Sequence, residues 1–229
     1  ATDVALSWLP LYHDMGLIGF VISPLCAGLQ SVFVPTMSFI KRPSVWMKQM
    51  SRHKATVTFA PNFAYGLAVK RTRPEHVEQL DLSRIRVLGA GAEPNHPGTL
   101  NAFLDHFAPA GMPREAMMPV YGMAEATLAI SFTRVQDRMK VDRVHGESYQ
   151  DESEAIPTND VAGALEFVSC GYAFPDHECF AVNVDGVRLP DRAVGELVVR
   201  GPSVAAGYFE NSMATAASFR SDGLRTGDL

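Results

Sequence analysis

Apolar side chains gather in short runs along the chain, Val4–Leu9, Ser31–Val34, Thr56–Ala60, Ile85–Leu88 and Met117–Val120, with amphipathic stretches between them. Runs of this kind suit strands covered on both faces, and each gap is long enough for a crossover helix. The pattern predicts an α/β fold with a mostly parallel sheet flanked by helices. Helix starts are marked by Pro43 ahead of Val45–Met50, by Asn62 as a cap for Phe63–Lys70, and by Pro97 ahead of Thr99–Phe107. From about Phe132 to Ala164 the chain turns polar and irregular, which reads as a linker or surface insertion. Beyond it, Glu178–Val184, the Asp185-Gly186 turn signal and Gly195–Val199 alternate like short antiparallel strands. The expected division is an α/β subdomain over 1–165, with the insertion at about 132–164, and a smaller β-rich subdomain over 166–229.

Composition narrows the function classes. With 229 residues, 47% of them apolar and 20% charged, the chain has the makeup of a globular protein with a sizeable core. A formal charge of −5 and the lack of any Lys/Arg-rich block point away from nucleic acid as a partner. The longest apolar run, within Leu17 to Leu29, is broken by Gly19, Ser23, Pro24 and Gly28. It falls short of the roughly 20 residues a membrane span needs, so no transmembrane segment is expected. Cys26, Cys170 and Cys179 are too few for a disulfide framework and favour a reducing, cytoplasmic compartment. The chain opens on Ala1-Thr2-Asp3 and closes on Thr226-Gly227-Asp228-Leu229 within what reads as a motif, so a piece of a longer protein is expected.

Four stretches could carry chemistry. Trp8-Leu9-Pro10-Leu11-Tyr12-His13-Asp14-Met15-Gly16 runs from a strand end into a glycine-containing loop, the place where open α/β sheets bind ligands. His13-Asp14 could be metal ligands, although no second cluster at ligand spacing accompanies them, or a capped helix start with a satisfied histidine. Gly89-Ala90-Gly91-Ala92-Glu93-Pro94 begins like a dinucleotide fingerprint, but Pro94 stands where the third glycine belongs. A tight turn needing glycine angles is the plain structural reading, and a nucleotide could still lie against so small-sided a segment. Tyr121-Gly122-Met123-Ala124-Glu125 could stack a base, admit a phosphate closely and hold Mg²⁺ through oxygen. Glu125 could equally be a carboxylate in the first turn of a helix. Finally, Gly195–Pro202 and Gly207-Tyr208 are structural punctuation, while Asp228 could accept hydrogen bonds from both hydroxyls of a ribose. Cys170, His177 and Cys179 lack zinc-finger spacing, and no Walker A sequence occurs.

In this order the four stretches resemble the adenylate-forming, or AMP-binding, superfamily, which includes acyl-CoA synthetases, fatty acyl-AMP ligases and peptide-synthetase adenylation domains. The resemblance spans essentially the whole chain and implies part of that family's large N-terminal domain. It implies that Gly91, Ala92 and Glu93 belong to the adenine-binding segment and that Tyr121 lies against adenine. Gly122, Met123 and Ala124 would line the nucleotide, with Glu125 holding Mg²⁺ as a catalytic group. Asp228 falls on the ribose-binding aspartate, and His13 on a position lining the acyl pocket near the reacting carboxylate.

Ala124 stands where many members carry a phosphate-contacting threonine. That alanine, the wording of Trp8–Gly16 and the long stretch between Glu125 and Gly171 all resemble fatty acyl-AMP ligases. Ala173 and Asp176 depart from the family's Pro-x-Pro-Gly pattern around Phe174-Pro175.

The resemblance implies activation of a fatty acid with ATP to acyl-AMP and pyrophosphate. Transfer to the phosphopantetheine thiol of an acyl carrier protein, often on a polyketide or peptide synthase, would follow. A fatty acyl-CoA ligase using CoA is the alternative, and a catalytically silent nucleotide- or acyl-binding module is an alternative of another class. It also implies a phosphate loop before Ala1 and a mobile C-terminal domain with its lysine after Leu229, so this fragment alone is not expected to complete a cycle.

Overall fold

The computed structural model describes residues 3–135 and 137–229. The opening Ala1-Thr2 and Gln136, within the polar stretch, lie outside the described residues. In chain order the strands are β1 (Val4–Ser7), β2 (Gln30–Phe33), β3 (Val57–Ala60), β4 (Val87–Ala90), β5 (Met117–Gly122), β6 (Ala129–Phe132) and β7 (Val141–His145), followed by β8 (Ala164–Val168), β9 (Tyr172–Ala173), β10 (Glu178–Val182), β11 (Glu196–Arg200), β12 (Phe219–Arg220) and β13 (Gly223–Arg225). The α-helices are α1 (Asp14–Leu17), α2 (Ser23–Ala27), α3 (Thr36–Lys41), α4 (Val45–His53), α5 (Asn62–Arg71), α6 (Pro74–Val77), α7 (Pro97–Phe107), α8 (Gly146–Asp151) and α9 (Ser212–Ser218), with a π-helical turn, Ile18–Ile22, between α1 and α2.

The main sheet has seven strands in the order β2-β1-β3-β4-β5-β6-β9. The first five pair in parallel, as the apolar runs predicted; β6 runs antiparallel to β5, and β9 antiparallel to β6. β10, β11, β13 and β12 form a separate antiparallel sheet of four. The polar stretch is more ordered than its composition suggested. β7 and β8 pair antiparallel over five residues each, with α8 between them; Val141 sits opposite Val168 and Val144 opposite Leu165, apolar pairs whose spacing of three along each strand shows no strand period in the sequence. β8 runs across residue 165, and β9, which follows it, joins the large sheet.

Several boundaries differ from the sequence reading for local reasons. β1 ends at Ser7 because the Leu9 N–H donates to Ser7 Oγ instead of continuing the ladder. β4 lies two residues later than expected, since the Ile85 N–H closes a turn onto Leu82. Pro43 sits in the turn before α4, where its carbonyl accepts the Trp46 N–H, and Ser44 occupies the cap position. Asn62 is the first residue of α5 with Pro61 at the cap, and its Oδ1 accepts the His96 N–H at 3.0 Å. Pro97 opens α7 as expected.

The core lies between the parallel strands and α4, α5 and α7. Trp46 on α4 is fully buried, its ring set edge-on to Phe39 and Tyr65 and tilted against Phe103. Its Nε1–H donates to Thr58 Oγ1 on β3 at 3.0 Å, so the one polar atom of the indole is satisfied inside the core. A smaller cluster of Ala126, Ile130 and Val199 joins the two sheets, with Tyr121, Met123 and Leu197 packed on it. Truncation of Trp46 would open a cavity and strand the Thr58 hydroxyl. Trp46→Ala is expected to cost about 3–5 kcal/mol, read as a lowered urea midpoint at unchanged slope.

Candidate nucleotide and acyl site

The site forms where β5 stops and turns back into β6. Gly122 ends β5 so close to the returning chain that a Cβ there would lie 1.9 Å from the Leu128 carbonyl oxygen, which only glycine permits. Ala124–Ala126 make a single 3₁₀ turn and Thr127 takes φ of 67°, completing the reversal. The pairing register slips between Tyr121 and Gly122, leaving Ile130 as the extra residue of a bulge directed into the cluster between the sheets.

The turn fixes two carboxylates through two phenols. Tyr121 donates its OH to Asp228 Oδ2 at 2.5 Å, across 107 residues of sequence. Asp228 is set by its backbone, its carbonyl accepting the Leu197 N–H on β11 and its N–H donating to Thr226 Oγ1. Burial pushes the Tyr121 phenol well above its usual range, and the Asp228 carboxylate raises it further. Tyr208 donates to Glu125 Oε1 at 2.6 Å, and that hydrogen bond likewise raises the Tyr208 phenol. Each carboxylate is thereby oriented through one oxygen and keeps the other.

His13 takes the N-cap position of α1 and lies 2.5 Å from Asp14 Oδ1 through Nδ1. That contact needs a proton between them, so Nδ1 carries it and the Met15 N–H goes to Asp14 Oδ1 at 2.7 Å. With its proton on Nδ1 the ring cannot accept the Met15 N–H, so the first turn of α1 is capped by the Asp14 carboxylate and the imidazole is held by Asp14 with its Nε2 free of any bond within the described residues. Gly16 allows the helix to start against the loop, since a Cβ there would meet the Pro10 carbonyl at 2.2 Å.

The second motif is corrected in detail. Gly91 does not take a left-handed angle; it is needed because a Cβ would stand 2.8 Å from Val120 on β5. The left-handed residue is Ala92, at φ 67°. Glu93 turns away and accepts the Phe63 N–H at the start of α5 at 2.5 Å.

Two adjoining cavities result. One, of about 360 Å³, is lined by residues of all three N-terminal motifs, among them His13, Ala92, Tyr121, Gly122, Met123 and Ala124. The other, of about 410 Å³, is largely apolar, with Ile18, Phe20 and Phe174 on its walls. They share Met15, Phe59, Leu128, Ala129 and Phe132. Glu125 and Asp228 stand outside the lining of both but are tied to the same turn. Nothing local in the sequence marks the contributions of Tyr208, beside a turn glycine, of Phe59, an ordinary residue of an apolar run, or of Phe132, at the start of the polar stretch. Among the described residues no group of three or more His, Cys, Asp or Glu is placed to hold a metal.

The model of the family described as AMP-binding enzyme matches residues 1–209. The chain belongs to the AMP-binding enzyme family. Its sequence is 40% identical over its whole length to a Caulobacter vibrioides protein provisionally named an acyl-CoA synthetase. It is 34% identical, again over its whole length, to the long-chain-fatty-acid–AMP ligase FadD26 of Mycobacterium bovis. The chain spans 40% and 41% of the lengths of these two relatives. Its fold superposes with a TM-score of 0.93, at 35% identity, on the fatty acyl-adenylate ligase of L. pneumophila solved with acyl adenylate and pyrophosphate. That match covers 98% of this chain and 41% of the other. The seven-stranded mixed sheet with its antiparallel companion is thus the N-terminal architecture of AMP-binding enzymes.

The raised Tyr121 phenol gives an alkaline signature. Its proton is retained in the folded state, so its contribution is complete below the unfolded value near 10 and is lost as pH rises above it. Tyr121→Phe is expected to lose about 1 kcal/mol at neutral pH and to flatten the fall in stability above about pH 10. Urea titrations of the two proteins across that range measure both effects, and Tyr65 cancels in the comparison.

Proposed function

We propose that the whole protein is a fatty acyl-AMP ligase, joining a fatty acid to ATP with release of pyrophosphate. The observation that carries this reading is the pair of cavities, one walled by the nucleotide-type motifs and one apolar, meeting across Met15, Phe59, Leu128, Ala129 and Phe132. Such a pair suits a polar nucleotide and a hydrocarbon chain placed end to end. Relatives and solved structures named for fatty acyl-AMP ligation support the same assignment.

In this reading the Gly91-Ala92-Glu93 turn takes adenosine by its backbone and by the Ala92 methyl, because the Glu93 carboxylate is engaged at α5. The ring of Tyr121 lies against the base, and Gly122, Met123 and Ala124 line the path of the phosphates. Asp228 offers its Oδ1 to the ribose hydroxyls while Oδ2 stays with Tyr121. Glu125 offers the oxygen not used by Tyr208 to Mg²⁺. A single protein carboxylate suits this ion, which commonly keeps water and substrate phosphates as its other ligands. Mg²⁺, when bound, supplies the charge neutralisation that lets an anionic carboxylate approach an anionic phosphate.

The remaining work falls to positioning. A fatty acid titrates near the ordinary carboxyl value, about 4.3, and is ionised at neutral pH, so no general base is required. His13 borders the nucleotide cavity beside Met15 of the shared wall, near the reacting carboxylate, and its ring is held by Asp14. Alignment and charge stabilisation then carry the catalysis.

The second step is assigned to the phosphopantetheine thiol of an acyl carrier protein in the cytoplasm. The 132–164 insertion within the 1–165 subdomain is the segment that discriminates it from CoA. No described helix is long and apolar enough to cross a membrane. The full-length enzyme should form hydroxylamine-trappable acyl-AMP from ATP and a saturated acid of about 12 to 16 carbons, and pass it to holo carrier protein but not to CoA. Glu125→Gln should slow adenylate formation roughly a hundredfold, the scale of losing one preorganised electrostatic contact. Efficient acyl-CoA formation would instead make the protein an acyl-CoA ligase, and no adenylate from any acid would favour a silent binding module.

A further inference from the structure

The apolar cavity has one polar wall, where Thr127, His177 and Ser203 come together. His177 Nδ1 lies 3.0 Å from the Pro175 carbonyl oxygen, and a carbonyl only accepts, so Nδ1 carries a proton. In the neutral ring Nε2 is then the acceptor, and it takes the Ser203 hydroxyl proton at 2.7 Å. Thr127 Oγ1 donates its own proton to the Ser203 carbonyl at 2.9 Å. The side-chain protons of these three residues are all committed within the protein, and Ser203 Oγ and Thr127 Oγ1 retain only lone pairs. The ring is held in place, because Gly201 packs so tightly on it that a Cβ there would lie 2.1 Å from His177 Cδ2. Ser23, the other hydroxyl on the cavity, is exposed and sits on a separate element, α2.

We infer that the acyl group taken by this cavity bears a hydroxyl along its hydrocarbon chain, which donates a hydrogen bond to Ser203 Oγ. The inference rests on the ligase reading and adds the class of substrate to it. A plain hydrocarbon covers the Ser203 lone pairs without replacing their partner. A chain oxo group sets acceptor against acceptor. A His177–Ser203 pair that merely ties the residues after β11 to the 174–177 turn would be indifferent to the substituent.

The test uses the full-length enzyme and hydroxylamine trapping of the adenylate. Dodecanoate is compared with its positional series of hydroxy and oxo derivatives. One hydroxyl position is expected to raise kcat/KM over dodecanoate by roughly two- to tenfold, the size of one net hydrogen bond, mainly through KM, with no gain from oxo at that position. Ser203→Ala should bring the hydroxy-to-plain ratio to about one, and Ser203→Thr, which keeps the hydroxyl, should preserve it. A flat ratio at every position, a preference for oxo, or a ratio that survives in Ser203→Ala overturns the inference and leaves the ligase reading standing. Adenylate from none of the acids overturns both. The wild-type series decides the matter even if the alanine variant fails to fold.

Discussion

The architecture turns on how closely the chain returns on itself after β5. A parallel strand normally leads into a crossover helix, but here Gly122 and the positive φ of Thr127 allow reversal within the six residues from Met123 to Leu128. Hydrogen bonds from Ala126 to Met123, from Thr127 to Ala124 and from Leu128 to Ala126 leave no slack in the turn. The reversal brings β6 alongside β5, ends the parallel part of the sheet, and buries Ala126 and Ile130 where Val199 of the second sheet can pack on them. Site and inter-sheet seam are therefore consequences of one backbone constraint.

The two carboxylates illustrate how a partly exposed site can still be well defined. Neither Glu125 nor Asp228 is buried, so solvent alone would let both side chains wander. A phenol restrains each by one oxygen, and the energetic trace of that restraint appears on the phenols, whose protons are held more tightly. Neutral donors orient an acid without neutralising it, which keeps the negative charge available to a cation or to hydroxyl donors.

The parallel sheet was legible because buried strands must be apolar on both faces, and Met117–Val120 or Thr56–Ala60 need no tertiary context to show it. What stayed hidden depended on partners distant in sequence. Nothing beside Tyr208 announces that it reaches Glu125 across 83 residues, and nothing beside Glu93 announces that its carboxylate caps α5. The β7–β8 pair was masked because Val141 and Val144, like Leu165 and Val168, stand three apart rather than two, and Asp142, Arg143 and Glu166 among them are charged and paired with each other or with Arg192. At the Pro-x-Pro-Gly departure, Asp176 occupies the glycine position at φ 63°, an angle that Asp adopts more readily than most residues, so the turn survives the substitution.

The contact between Tyr121 and Asp228 also bears on how the protein is made. Asp228, the acceptor in that contact, follows its donor by 107 residues. During synthesis the parallel sheet can close while the second sheet is still inside the ribosome, leaving the Tyr121 hydroxyl without its acceptor and Val199 absent from the seam. A nascent chain that has finished its large sheet therefore still lacks the carboxylate that the Tyr121 hydroxyl meets. That carboxylate is placed in a single event, when β11 and β13 pair and the Leu197 N–H takes the Asp228 carbonyl.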